Sequence, residues 1–145
     1  MTAILIGLDI GGVNIKCTSL FADNDTKLES NHANIRYFPL WVNSIDQLTN
    51  VLEEILYSHI NHQRMNLKII AKNLKKIPVY IGASITGELS DVFNNKNEGI
   101  TKITSSLFEA SKNLNKFNNL TINPPVFVGT DGNLLKKDEA VKNYR

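Results

Sequence analysis

The sequence predicts an α/β domain whose elements follow the order βββαβαβα, and three observations carry that expectation. Two alternating apolar runs meet at Gly11-Gly12. A helical stripe of apolar residues follows Ser44. A nearly continuous apolar run then opens at Pro78 and precedes a second helical stripe. Period 2 marks a half-buried strand and period 3.6 an amphipathic helix, so the two kinds of stretch separate cleanly.

Residues 3 to 10, AILIGLDI, put Ile4, Ile6, Leu8 and Ile10 on one face and Leu5, Gly7 and Asp9 on the other. Gly11-Gly12 interrupts the alternation as a turn expected to need unusual backbone angles. A second alternating run, VNIKCTSLF at 13 to 21, completes a β-hairpin. Asp23-Asn24-Asp25 is a polar turn that lacks the later Gly and Glu of a calcium loop. A third strand is expected over 33 to 40, with Pro39 at a sheet edge or bend.

Ser44 and Gln47 stand at capping-box spacing, and Ile45, Leu48, Leu52, Ile55, Leu56 and Ile60 continue at helical spacing, which predicts a helix over 45–60. Residues 63–77 read as a helical insertion whose lysines face solvent. Pro78 opens a fourth, interior strand, PVYIGASI. The polar stretch 86–99, TGELSDVFNNKNEG, is expected to be partly helical between Glu88 and Phe93, and a helix follows over 100–114. Asn-rich residues 113–123 then link to a last strand, PVFVGT. Asp131-Gly132 is its turn, and Asp138 is a candidate cap for a short final helix.

Composition narrows the function classes. A length of 145 residues suits one domain, and 42% hydrophobic with 21% charged residues is the balance of an ordinary globular chain. Sixteen basic and fourteen acidic residues leave +2, too little for nucleic acid to be the expected partner. No run approaches the ~20 apolar residues of a membrane span and no signal peptide precedes the first strand, so no membrane partner and a cytoplasmic location are expected. The single cysteine, Cys17, excludes an internal disulfide and any multi-cysteine zinc site. It lies on the apolar strand face and reads as a small buried hydrophobe.

Two constellations carry chemistry. In Asp9-Ile10-Gly11-Gly12-Val13-Asn14-Ile15-Lys16, the carboxylate ends a strand where it can meet Mg²⁺ or its waters. The glycines leave turn amides open to a phosphate, and Asn14 and Lys16 can add donors. The plain alternative is an ordinary Gly-Gly hairpin. In Thr86-Gly87-Glu88-Leu89-Ser90-Asp91, two carboxylates three apart share a helical face, and Thr86 can donate to a substrate oxygen. The plain alternative there is an N-cap threonine with acids that favour the helix dipole. Tyr37, Phe38 and Trp41 flank Pro39 and read as packing over a sheet end. His59 and His62 lack a third ligand at matching spacing and do not read as a zinc site.

The order βββαβαβα is that of the ribonuclease-H-like fold and of each half of the actin-like, sugar-kinase and heat-shock ATPase architecture. One such domain over 1–145, with its second domain absent, is the resulting expectation. Three segments, IGLDIGGVNIK, YFPLW at 37–41 and TGELSDVFNNKNEG at 86–99, resemble an archaeal family. It is labelled the tetrahydromethanopterin-linked one-carbon-transfer pathway protein, related to hydantoinases and oxoprolinases, and its characterised role is methanofuran-biosynthesis condensation. The third segment is the most specific, and VFVGTDGNLLKKDEA extends the likeness through the last strand, turn and helix. The chain departs from the family at Gly87, where Ala is usual, and at Ile15-Lys16, where Thr-Lys is usual. Members of the family are expected to be about twice as long, so the chain is read as a truncated gene, a fragment, or a half that needs a second half-domain or a homodimer partner.

The resemblance implies a transferase that joins a furan-methyl diphosphate to γ-glutamyltyramine and releases pyrophosphate. It implies that Gly11, Gly12, Asn14 and Lys16 hold phosphate, that Mg²⁺ sits at Asp9, and that Glu88 or Asp91, with Thr86, handles the phenolic proton. The small-molecule partner is then a phosphorylated substrate, either the diphosphate or ATP. Three other readings stay open. They are an ATP-dependent kinase or oxoprolinase-type hydrolase, a ribonuclease-H-like nuclease built on Asp9, Glu53 or Glu54 and Asp91, and an inactive half-domain that binds a partner.

Overall fold

The computed structural model describes residues 3–22, 29–70, 77–87, 90–116 and 120–143. The elements are β1 (Ala3–Ile10), β2 (Asn14–Ala22), β3 (Glu29–Tyr37), α1 (Ile45–Ile70), β4 (Ile77–Ile85), α2 (Lys96–Leu114), β5 (Leu120–Ile122), β6 (Val126–Val128), β7 (Leu134–Leu135) and α3 (Lys137–Lys142). They form one mixed sheet in the order β3-β2-β1-β4-β6-β7, with β5 also paired to β4. β1, β2 and β3 are antiparallel neighbours, while β4 lies parallel to β1 and to both β5 and β6. The α/β architecture and the βββαβα core of the expected order are therefore present.

Alternation decides which face is buried. Ile4, Ile6, Leu8 and Ile10 of β1, with Val79, Ile81 and Ala83 of β4, join Leu48, Leu52, Ile55 and Leu56 of α1 and Ile103 and Leu107 of α2 in one core. Each of these large side chains contributes about 1.5–3 kcal/mol on burial. Ala140 of α3 joins the same core. The described helices thus all lie on one side of the sheet, and the opposite side carries Leu5, Gly7 and Asp9 of β1 beside Tyr80, Gly82 and Ser84 of β4. No described helix is long and apolar enough to cross a membrane.

Several element boundaries differ from expectation for local reasons. The expected capping box is present: Ser44 N–H donates to Gln47 Oε1 (2.6 Å), and Gln47 N–H donates to Ser44 Oγ (3.2 Å). The helix it starts runs on to Ile70, so the first part of 63–77 continues α1, and residues 71–76 lie outside the described residues. β3 sits earlier than expected because its pairing with β2 begins at Glu29 and ends at Tyr37, short of Pro39. The turn Asp23-Asn24-Asp25 lies outside the described residues. The expected last strand is β6, and the end of the expected 113–123 linker forms a further strand, β5; Pro124-Pro125 between them offers no N–H to a ladder. Asn123 bridges the gap by donating its N–H and its side-chain amide to the Val79 carbonyl (3.0 and 3.2 Å). β7 closes the hairpin at Asp131-Gly132, where Gly132 has φ 81°, the only positive-φ glycine among the described residues. Gly11 and Gly12 therefore do not serve the turn through unusual angles. Asp138 lies inside the first turn of α3, whose N-cap is Lys136. Glu139 Oε2 accepts from the Lys136 N–H there (2.8 Å).

A polar cluster ties α1 to the hairpin edge. His59 is fully buried, with Nδ1 2.8 Å from Ser19 Oγ and Nε2 3.1 Å from Asn34 Oδ1. Asn34 Oδ1 can only accept, so the neutral ring carries its proton on Nε2 and receives the Ser19 hydroxyl at Nδ1. Gln63 Nε2 donates to the same Ser19 oxygen (3.0 Å). His32 packs at 4.7 Å from the His59 ring and stacks on His62 at 4.0 Å. Burial first, then the neighbouring His32 and His62, push the His59 pKa down to about 4. A folded-state pKa below the unfolded value of 6.5 means the unfolded chain binds the extra proton, so His59 favours the fold fully above pH 6.5 and loses that contribution as pH falls toward 4. Urea titrations across this range should show stability falling with acid, and His59→Gln should flatten the slope between pH 6.5 and 4.

Candidate functional site

The site forms where β1 and β4 end side by side. Parallel register sets Asp9 beside Ser84 on β4 and opposite Lys16 on β2, all on the face away from the helices. Asp9 Oδ1 accepts from Ser84 Oγ (3.2 Å) and Thr86 Oγ1 (3.4 Å), and Lys16 Nζ lies 3.9 Å from Oδ2. The Asp9 side chain is 39% exposed and that of Lys16 60% exposed, so the ion pair contributes little to stability and stays open to exchange. Its use is positional. It holds a carboxylate and an ammonium at the rim of the sheet, where either can meet an incoming charged group.

The Gly11-Gly12-Val13 loop is fastened to its surroundings by backbone bonds. Gly11 N–H donates to the Asn14 carbonyl (3.0 Å), Leu40 N–H to Gly12 (2.9 Å) and Phe38 N–H to Val13 (2.8 Å). Thr86 N–H donates to Ile10 (3.0 Å), joining the β4 exit to the same loop. The Gly11 amide is thus committed within the loop. The need for glycine is steric. A Cβ at Gly11 would stand 3.0 Å from the Asn14 carbonyl oxygen, and one at Gly87 would stand 2.9 Å from Leu40 Cδ1 and 3.1 Å from both C and O of Gly11. The two loops touch backbone to backbone.

Of the predicted site residues, Asp9, Gly11, Gly12, Asn14, Lys16 and Thr86 come together at this rim. Glu88 lies outside the described residues. Asp91 is exposed in a turn in which Phe93 N–H donates to the Ser90 carbonyl (3.1 Å), and no helix runs through 90–93. The expected helix is therefore absent over 90–93, and the face it was to share with Glu88 falls outside the described residues. The following helix starts at Lys96 instead, with Asn95 as its cap. Glu98 is absorbed by that start: it accepts from Asn94 N–H (2.7 Å) and pairs with Lys102, and these contacts, led by Lys102, hold its carboxyl below the usual range.

Glu53 and Glu54 point elsewhere, toward Asn113 (3.2 Å) and Arg36 (3.2 Å). Among the described residues no three His, Cys, Asp or Glu side chains gather to hold a metal. A lone carboxylate still fits Mg²⁺ in the form that binds through one carboxylate plus substrate phosphates, with Asp9 as the ligand. Cys17 is buried beneath the sheet, and burial pushes its thiol up to about 12, which makes it inert at neutral pH.

Ser84 is the site residue that sequence reasoning missed. The signal was available, because parallel pairing of the first and fourth strands puts every second residue before Thr86 on the Asp9 face. Of the aromatics flanking Pro39, Phe38 is buried as expected, whereas Tyr37 and Trp41 are exposed and do not pack over the sheet end.

No family model matches the chain. It is 30% identical over 145 residues to the (4-{4-[2-(gamma-L-glutamylamino)ethyl]phenoxymethyl}furan-2-yl)methanamine synthase of Methanocaldococcus jannaschii, across 99% of this chain. The chain spans about a third (33%) of that relative's length, so the relative is nearer three times than twice as long. Two Aquifex aeolicus Ppx/GppA structures give TM-scores of 0.38 and 0.37 at 14% and 12% identity. They cover 91% and 89% of this chain and 37% and 38% of their own, a likeness too slight to carry any argument.

The contact between Gly87 and Gly11 makes a testable demand. Gly87→Ala should destabilise the fold by about 1–3 kcal/mol, as overpacking does, and should shift the Gly11 and Thr86 amide resonances. Gly82→Ala, with nothing within 4 Å of the added Cβ, is the neutral control in the same melting series.

Proposed function

We propose that the chain forms the anion-holding wall of a synthase that joins a phenol to a furan-methyl diphosphate, as the resemblance to the M. jannaschii protein implies. The observation that carries the proposal is the rim at Asp9. Ser84 and Thr86 donate to its carboxylate while Lys16 stands 3.9 Å away, in a chain 30% identical over 145 residues to that synthase. That relative's product contains a phenoxymethyl ether on a furan.

In the proposed reaction the phenolic oxygen of γ-glutamyltyramine attacks the furan methylene carbon. The carbon–oxygen bond to diphosphate breaks, and pyrophosphate leaves with the electron pair. Lys16 and the Gly12 N–H bind the oxygens on which that charge collects, in a position prepared before the reaction. Ser84 and Thr86 donate to one Asp9 oxygen and keep the other turned toward the cleft. Mg²⁺, when bound at Asp9, supplies further neutralisation of the diphosphate. The phenolic proton passes to a carboxylate of the segment after β4, Glu88 or Asp91. Asp91 makes no hydrogen bond to the Asp9 cluster among the described contacts.

A titration followed at the Gly11 and Gly12 amides tests this reading. Magnesium pyrophosphate should bind at millimolar affinity or tighter, and Asp9→Asn or Lys16→Ala should weaken it about tenfold, roughly 1.4 kcal/mol. Tighter binding of MgATP would favour a kinase or ATP-driven hydrolase. No shift with either ligand would leave a half-domain that only binds a partner. In a complete synthase, full turnover by Glu88→Gln would move the base to Asp91.

A further inference from the structure

Four of the exposed large apolar side chains lie in two segments bonded to each other at the glycine loop. Val13 belongs to the loop itself, Tyr37 ends β3, and Trp41 and Val42 lie in the turn that follows. Tyr37 is 69% exposed and Trp41 56% exposed, much aromatic surface for a chain to leave in water. Packing does not account for these rings, because Phe38 and Leu40 fill that role in the same segment and are buried. Backbone bonds fasten the segment: Phe38 N–H donates to Val13 and Leu40 N–H to Gly12, while the Asn43 side-chain amide donates to the Pro39 carbonyl (2.8 Å). Rings on a fastened backbone are set for a contact before it is made.

The strand registers say what the rings stand next to. Asp9 pairs with Lys16 across β1 and β2, and Lys16 with Ile35 and Asn14 with Tyr37 across β2 and β3. Tyr37 therefore shares the face of Asp9 and Lys16 and is the diagonal neighbour of Lys16, a separation of about 7–8 Å that aromatic and long side chains span. An ammonium and a phenol ring thus open at one end of the sheet. A ligand with an anionic group at Lys16 and a flat ring close behind it meets both. The diphosphate of the proposed reaction has that form, with one methylene between its furan and the leaving oxygen, and the relative's product keeps both furan and methylene.

We propose that Tyr37 is the ring-binding residue of this site: its face stacks on the furan of the diphosphate substrate, and Trp41 borders the same ring. The proposal rests on the synthase reading above. Stacking orients the methylene carbon toward the incoming phenol while the leaving group is held at Lys16. It also selects among diphosphates, since an alkyl chain offers no π face to stack on.

Three ligands test it, each titrated with Mg²⁺ present: inorganic pyrophosphate, an ethyl phosphonophosphate, and a furan-ethyl phosphonophosphate in which carbon replaces the ester oxygen so that no group leaves. Affinities are read from the Gly12 amide, and Trp41, the single tryptophan, reports on the ring. The furan analogue should bind about tenfold tighter than the ethyl analogue, in the range of ring stacking on an aromatic side chain. It should shift the Trp41 emission, which pyrophosphate should leave unchanged. Tyr37→Ala should abolish the tenfold advantage and keep the affinity for pyrophosphate, and Tyr37→Phe should restore the advantage. Equal affinities for the two analogues, an equal loss for all three ligands in Tyr37→Ala, or unchanged emission with the furan analogue bound would each overturn the proposal and leave the anion site standing. Emission that shifts when the free chain is diluted overturns it as well, by giving the patch to a second copy. If pyrophosphate itself does not bind, the synthase reading falls and the ring site falls with it.

Discussion

The parallel pairing of β1 with β4 is the constraint on which the rest depends. It places Ile4, Ile6 and Leu8 against Val79, Ile81 and Ala83 in one core layer, and the same register lays Asp9 beside Ser84 on the other side. A slip of one residue would turn every one of these side chains over, moving the apolar set into water and the carboxylate into the core. Burial on one face therefore secures the chemistry on the other. The hairpin to β2 then brings Lys16 across from Asp9, and the chain leaving β4 delivers Thr86.

Most of the sheet was legible because its signals are local. Alternation in AILIGLDI and VNIKCTSLF identifies β1 and β2, and the Ser44–Gln47 box identifies the start of α1 to the residue. What was not legible depended on contacts distant in sequence. β3 ends where its pairing with β2 ends, and its own residues mark that boundary weakly. The break between β5 and β6 follows from Pro124-Pro125, whose effect on a ladder is plain only once the partner strand is known. Gly11 looked conformational, yet an added Cβ there would crowd the nearby Asn14 carbonyl, and one at Gly87 would crowd Leu40 and the Gly11 backbone, an approach of distant segments that no local pattern announces. The candidate helix at 88–93 rested on the spacing of acids, and the cap at Asn95 fixes the start of the helix further on.

The site itself divides in the same way. Asp9, Lys16 and the glycine loop lie within eight consecutive residues, so their grouping could be read directly, and the anion-holding role is proposed for them. Its proton-handling side depends on where the segment after β4 travels, and on whatever faces it. One half of a cleft can hold and orient a charged group. Excluding water and bringing a second reactant up to it is the work of both halves.

The backbone contact between Gly11 and Gly87 also determines how such a cleft can move. Two loops that meet with no side chain between them, each bonded into the sheet, form one stiff lip, because neither can swing without colliding with the other or breaking a strand-end hydrogen bond. A hinge in this lip is therefore ruled out at the point closest to the carboxylate. In the proposed synthase, opening and closing around a substrate would then fall to whatever faces this lip.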